Sequence, residues 1–406
     1  MLIAAAILFA HRSTLNVGDG KPFSRIEDAV KAAQPGDEIR VYPKVGGYKG
    51  AAVVISTSGL KISGDTRIVI DGADFEYSGI GQVPRAIFQV NPEADGVTIS
   101  NFELKGAHNG SHNGSGIRIN GASRCTVQDC LIHENDMGIM SNGVVGDLHA
   151  ASKQLIDHCE IYRNGDFADP GFNHNLYLGG TSVTVQFCDI HDSLTGHNLK
   201  SRAHFITVQY CSIHDSSNCE LDFVDAWDTD RPNSNVLLLG NIIRKNPDAK
   251  GNRTVINFGQ ERGRRDGTIF LVNNEISTDF MSPVVALTGP NVTARFVNNL
   301  VDNLSQSHPV LVGVENGAIL SRVSGNSNVL SPNYDVSGTA IDTQTLYADP
   351  HLSERLAGHP HRALTFLPSK ASYVDGTGTR HEVKPTYRAT DRTGWITTHD
   401  SFIGAG

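Results

Sequence analysis

Apolar and polar residues alternate along most of this chain in short runs rich in Val and Ile. Gly, Asn and Ser break the runs, and the period of two reads as half-buried β-strands. The runs repeat. VQDCLIH (127–133), IDHCEIY (156–162), VQFCDIH (185–191) and VQYCSIH (208–214) are variants of one phrase, with Cys130, Cys159, Cys188 and Cys211 spaced 29, 29 and 23 residues apart. LLLGNII (237–243), FLVNNEI (270–276) and RFVNNLV (295–301) extend it, with Gly240, Asn274 and Asn299 where the Cys had been. A period of ~20–30 residues built from short strands predicts an all-β solenoid of stacked coils, in which equivalent residues form ladders ~4.8 Å apart. Asn amides in such a ladder bond to one another, and Cys fills a small interior gap. The spacing lacks a compact C-x-x-C pair, so the thiols read as free and buried rather than as metal ligands or a disulfide framework.

A second phrase follows each of the first after a variable turn: GSGIRING (114–121), MGIMSNG (137–143), HNLYLGG (174–180), HNLKSRA (197–203), NCELDFV (218–224) and VINFGQE (255–261). Alternation sends Ile117, Ile139, Leu176, Leu199, Leu221 and Ile256 inward. The next residues then face outward as one column: Arg118, Met140, Tyr177, Lys200, Asp222 and Asn257. Two positions later runs a parallel outer column containing Asn120, Asn142 and Arg202; two positions earlier, another contains Gly116, Gly138, Asn175, Asn198 and Glu220.

The front of the chain carries a different period. VGDGKPFSRIEDAVKAAQPGDEIRVYP (17–43) predicts a short amphipathic helix capped by Ser24, with Gly36 past its end, leading into a strand. Such a helix covers the apolar end of the first coil. The resulting division is a leader over 1–16, an N-terminal cap over 17–50, coils over 51–330 and a C-terminal coil or cap segment over 331–406. The first ten residues, MLIAAAILFA, match the apolar part of a secretory signal and point to an exported, secreted or periplasmic protein. With a formal charge of −9, the 406-residue chain does not suit nucleic-acid binding by phosphate neutralisation. No apolar run reaches the ~18 residues of a membrane span. A single self-capped solenoid is expected to be a monomer.

With these residues in view, the chain resembles the pectin-lyase-like superfamily of right-handed parallel β-helix proteins, most of which bind or cleave acidic polysaccharides. The opening GDGKPFSRIEDAVKAAQPGDEIRVYP and the closing stretch from DPHLSE through FLPSKASYVDGTG to SFIGAG carry the resemblance. Lys44-Val45-Gly46-Gly47-Tyr48 replaces the Gly-Thr-Tyr expected after the Pro. Within the superfamily, HNLYL paired with HNLKSRA is similar to bacterial proteins related to polysaccharide lyases, alginate lyases among them. The catalytic pair this implies, a Tyr and a Lys on neighbouring coils, falls at Tyr177 and Lys200. The paired-Asp and Arg-x-Lys signatures of polygalacturonases and the Asp-Pro-His-Asp/Glu signature of mannuronan epimerases are not visible. A hydrolase or epimerase of the same fold, or a glycan-binding protein without catalysis, is the alternative.

β-Elimination on a uronate needs a cation on the carboxylate, a base for the C5 proton and an acid for the departing O4. Lys200 and Arg202 share a strand and a facing, and Tyr177 is one coil away at ~5 Å. A Lys beside another cation is expected to have a lowered pKa suited to a base; Tyr177 then serves the leaving oxygen, or the two exchange roles. His174, Asn175, His197 and Asn198 stack beside the pair as candidate substrate contacts, together with Arg118, Glu220, Asp222, Asn257 and Arg262. For either His alone, a turn-stabilising role is the plainer reading. The acidic run Glu220, Asp222, Asp225, Asp228 and Asp230 raises Ca²⁺ as the one candidate cofactor. Without EF-type spacing, the plainer reading has Asp222 orienting Lys200. Trp227 either stacks on a sugar or packs under its loop. Arg253, Arg262, Arg264 and Arg265 either attract a polyanion or form a solvated loop, and the insertion 165–173 is expected to wall a cleft.

Overall fold

Each repeat folds into three strands joined by tight corners, and each coil lies on the one before it with parallel pairing. One coil, for example, contributes Thr126–Gln128, Leu131–His133 and Met137–Asn142. The computed structural model describes residues 12–226, 231–259, 261, 264–278, 283–303, 310–332, 334–341, 346–347, 371–374 and 380–383. Stacking starts with Thr14–Val17 on Glu38–Val41 and continues as far as Val329–Leu330 on Leu346–Tyr347. The result is a right-handed parallel β-helix. Its apolar interior is one continuous cluster running from Val17 to Tyr334.

The corner between the first two strands of a coil explains the repeated phrase. Asp129, His158, Phe187, Tyr210, Gly240, Asn273 and Asn298 adopt φ of 51–65° there. Each is a single left-handed residue that turns the chain, and Asn, Asp and Gly tolerate it best. The residue after it points inward. Cys130, Cys159, Cys188 and Cys211 occupy that place as buried free thiols. Asn241, Asn274, Asn299 and Asn328 continue the ladder, each amide donating to the next at 2.9–3.0 Å. This corrects one register: Asn241, not Gly240, takes the Cys position, because Val208 pairs with Leu238 and Gly240 falls on the corner itself.

The helix spans Ile26–Ala32 and buries Ile26, Ala29 and Val30 over the first coil. Ser24 does not cap it. Arg25 is the N-cap residue and makes no side-chain capping bond, while Lys44 Nζ bonds to the Ser24 carbonyl oxygen. Glu27 fastens the first turn instead, accepting the Ala52 N–H at 3.0 Å.

One face is a ten-stranded sheet on which the second phrase lies. Its strands include Ala86–Val90, Ser115–Asn120, Met137–Asn142, Leu176–Leu178, Leu199–Ser201, Leu221–Phe223 and Ile256–Gly259. Ile117, Ile139, Leu176, Leu199, Leu221 and Ile256 are all fully buried, as alternation requires. Coils approach so closely at its edge that a Cβ on Gly138 would collide with the Asn175 carbonyl oxygen. Gly138→Ala is therefore expected to cost about 1–3 kcal/mol by overpacking, seen as a lower denaturant midpoint.

Candidate active site

The outer column of the ten-stranded sheet forms as the alternation predicts. Arg118 pairs with Met140, Met140 with Tyr177, Tyr177 with Lys200, Lys200 with Asp222 and Asp222 with Asn257. Tyr177 and Lys200 are therefore side by side on one surface. The Arg202 guanidinium lies 5.6 Å from the Tyr177 ring centre. Among the described residues, the Tyr177 hydroxyl makes no hydrogen bond to a protein group.

Charge at the site differs from expectation. Lys200 Nζ lies 3.2 Å from Asp222 Oδ2 and 3.2 Å from Glu261 Oε1. Burial disfavours its ammonium form, but those two carboxylates outweigh burial and raise its pKa above the ordinary value. The expected lowering is thus reversed, because the neighbours that count are anions. Glu261 also forms an ion pair with Arg202, so one carboxylate sits between two cations. Asp222 is nearly sealed: it accepts from Asn257 Nδ2 at 2.6 Å and lies 3.4 Å from His197 Nε2. Burial pushes its carboxyl up, and His197 and Lys200 pull it below the usual range. Asp222, held by Asn257, thus lies against the Lys200 ammonium.

Several candidate contacts prove to be internal. Asn175, Asn198 and Glu220 are fully buried, and His174 is 2% exposed. The strands begin at Leu176, Leu199 and Leu221, so the preceding residues lie on a corner where outward alternation no longer holds. There the amides form a second ladder, Asn135 to Asn164 to Asn175 to Asn198, which ends on Glu220 with a 2.6 Å bond. Glu220 is paired with Lys245, itself sealed, at 3.3 Å. His174 stacks on His197 with ring centres 5.0 Å apart and accepts the His197 N–H at 3.1 Å. Burial, then the nearby His197, pushes the His174 pKa well down, so its ring is a neutral structural acceptor.

Among the described residues, the acidic run does not gather its carboxylates at one point. Glu220 and Asp222 face separate cations, and Asp225 accepts the backbone N–H groups of Glu261 and Arg264 at 2.8 Å each. Oxygen ligands of one hard cation would have to converge. Trp227, Asp228, Asp230 and Arg262 lie outside the described residues. Arg265 belongs to neither a polyanion-steering nor a solvated surface: it is buried beside the Phe258 ring and donates to the Val224 carbonyl oxygen at 2.6 Å. Burial pushes its pKa down to about 9. Arg253 Nε reaches the Ala249 carbonyl oxygen. The insertion does wall a hollow, about 680 Å³, but one lined by Phe167, Pro170, Asp215 and Asn218 at the turns and by neither Tyr177 nor Lys200.

Glu261 is the residue sequence reasoning missed. It follows Ile256–Gly259 on a turn, where neither strand alternation nor the repeat assigns a direction. The available signal was electrostatic, because two cations on one strand call for a counter-charge.

The geometry defines the class as a right-handed parallel β-helix bearing a charged site on its ten-stranded face. No family model matches the chain, and no curated protein matches it. Solved structures do. DFA-IIIase from Arthrobacter chlorophenolicus A6, solved without its lid and in complex with GF2, is 15% identical with a TM-score of 0.51; the match covers 81% of this chain and 99% of that one. The pectate lyase Pel9A is 15% identical over 97% of this chain and 96% of its own, at TM-score 0.47. The tailspike protein gp49 of Acinetobacter baumannii bacteriophage Fri1, a capsular polysaccharide depolymerase, is 12% identical over 90% and 68%, at 0.49. The likeness to DFA-IIIase shows the fold. Among the described residues, no helix is long and apolar enough to cross a membrane.

Proposed function

We propose that the protein is an exported polysaccharide lyase that cleaves a uronate-containing polymer by β-elimination at Tyr177, Lys200 and Arg202. The observation that carries this reading is Glu261: its carboxylate, gripped by Lys200 and Arg202, occupies the place a substrate carboxylate would take. In the reaction the uronate displaces Glu261, and the two cations withdraw charge from the C5 position. Lys200 acts as a fixed cation rather than as a base, since its pKa is raised. Tyr177, on the adjoining rung, reacts as its phenolate: the phenolate oxygen takes the C5 proton, and the phenol so formed gives it to the departing O4 as the C4–O4 bond breaks and a C4–C5 double bond forms.

The test is a panel of acidic polysaccharides followed by ultraviolet absorbance of unsaturated uronate. Tyr177→Phe is expected to lower kcat by roughly 10²–10⁴ with KM little changed. Glu261→Gln removes the competing carboxylate's charge and is expected to lower KM several-fold. New reducing ends without absorbance would replace elimination by hydrolysis, and inverted uronate centres would indicate epimerisation. Saturable binding with no change in the polymer would leave only a glycan-binding role.

A further inference from the structure

Arg118 stands on the same outer column as Lys200, three rungs away, roughly 14 Å at the spacing of paired strands. It opens into a cleft of about 950 Å³ between the N-terminal helix and the ten-stranded face. Four cations line this cleft, Arg25, Lys31, Arg85 and Arg118, against one carboxylate, Glu27. That carboxylate is already engaged by Arg25 at 3.3 Å and by the Ala52 N–H. Among the described residues, neither Arg85 nor Arg118 forms an ion pair. This concentration of positive charge stands on a chain of formal charge −9.

The cleft holds the Arg118 guanidinium in place. Arg118 Nε donates to Asn120 Oδ1 at 3.1 Å, and one terminal nitrogen meets the weak acceptor Met140 Sδ at 2.9 Å. Most of its five donors remain for a ligand. Burial, and then Arg85, push the Arg118 pKa down to about 10, which leaves it charged at neutral pH. Gly79 gives the Arg85 side chain room to lie against its loop, since a Cβ there would collide with it. The Gln89 amide, directly beside Arg118 on the next rung, adds the neutral polar lining that suits sugar hydroxyls.

We propose that Arg85 and Arg118 form a second anion subsite that takes a carboxylate of an acidic oligosaccharide several sugar units along the face from Tyr177 and Lys200. The choice of ligand rests on the lyase reading; the subsite itself rests on the cleft. Paired charge-assisted bonds make the subsite selective for a planar carboxylate.

The test uses Arg85→Gln, Arg118→Gln and the double variant, each in the full chain carrying Tyr177→Phe so that oligomers survive. Calorimetric affinities are compared for short and long oligouronates, for neutral oligosaccharides of matched length and for inorganic phosphate. Long oligouronates are expected to bind the parent more tightly than short ones. The double variant should lose about tenfold or more of that gain, while short oligomers are unaffected. Equal binding of long oligomers by parent and double variant overturns the subsite, as does an Arg-dependent gain shared by neutral oligomers. Inorganic phosphate binding as tightly as a long oligouronate overturns its assignment to a glycan. Unchanged melting of the variants confirms that the cleft, not the fold, has been altered. Absence of unsaturated products with the native protein would fail the lyase reading while leaving this length-dependent binding measurable.

Discussion

Lys200→Ala is expected to reduce elimination by roughly 10²–10³, the loss typical of removing one charge-stabilising donor from a reacting centre. The substitution also releases Asp222 and Glu261, which both face the ammonium at 3.2 Å. Lys200→Arg should restore part of the rate, because it keeps the charge but not its exact position. The pH profile separates two roles for this side chain. As a fixed cation, Lys200 supports turnover only while protonated, so its own limb of the profile is a fall in activity as pH rises through its elevated pKa. A base would show the opposite limb, with activity rising through that pKa. An alkaline rise that Lys200→Ala abolishes would end the fixed-cation assignment.

The second large effect is on stability. Lys245→Met is expected to cost about 3–5 kcal/mol, because it leaves the Glu220 carboxylate buried without its cation. Both side chains are fully sealed from solvent, at 3.3 Å from one another. Lys245 also bonds to the Ser216 and Asn218 carbonyl oxygens, so it closes the turns of neighbouring coils. Burial raises the Glu220 carboxyl above its usual range, although Lys245 and the Ser216 N–H pull it down. Glu220→Gln combined with Lys245→Met removes both charges and should recover most of the loss, since a neutral amide can still accept from Asn198. Denaturant midpoints of the two single variants and the pair measure this directly. A double variant as unstable as the sum of the single ones would show that packing, not charge, sets the cost.

The sequence made the coils legible because a repeat multiplies weak local signals. One phrase with a central Cys would suggest little; four in succession fix a ladder and its period. The outer column from Arg118 to Asn257 could be named residue by residue for the same reason. Alternation stops assigning a facing where the backbone stops being a strand. Asn175, Asn198 and Glu220 were placed outside by carrying alternation one step past the strand ends, onto a corner that turns them inward. Gly240 was misaligned by one because a Gly at a left-handed corner resembles a small residue in a ladder. The sign of the Lys200 shift follows from two anions that both face its ammonium, Asp222 on the next rung and Glu261, which touches it across 61 positions of sequence.

In-register stacking gives this protein a built-in ruler. The cationic cleft and the Tyr177–Lys200 pair stand on rungs separated by a whole number of strand spacings. A relative that gained or lost one complete coil between Arg118 and Tyr177 would shift the two by one division and leave each otherwise intact. If both sites bind one polymer as proposed, preference for its length is free to change in discrete increments, independently of the chemistry at either end.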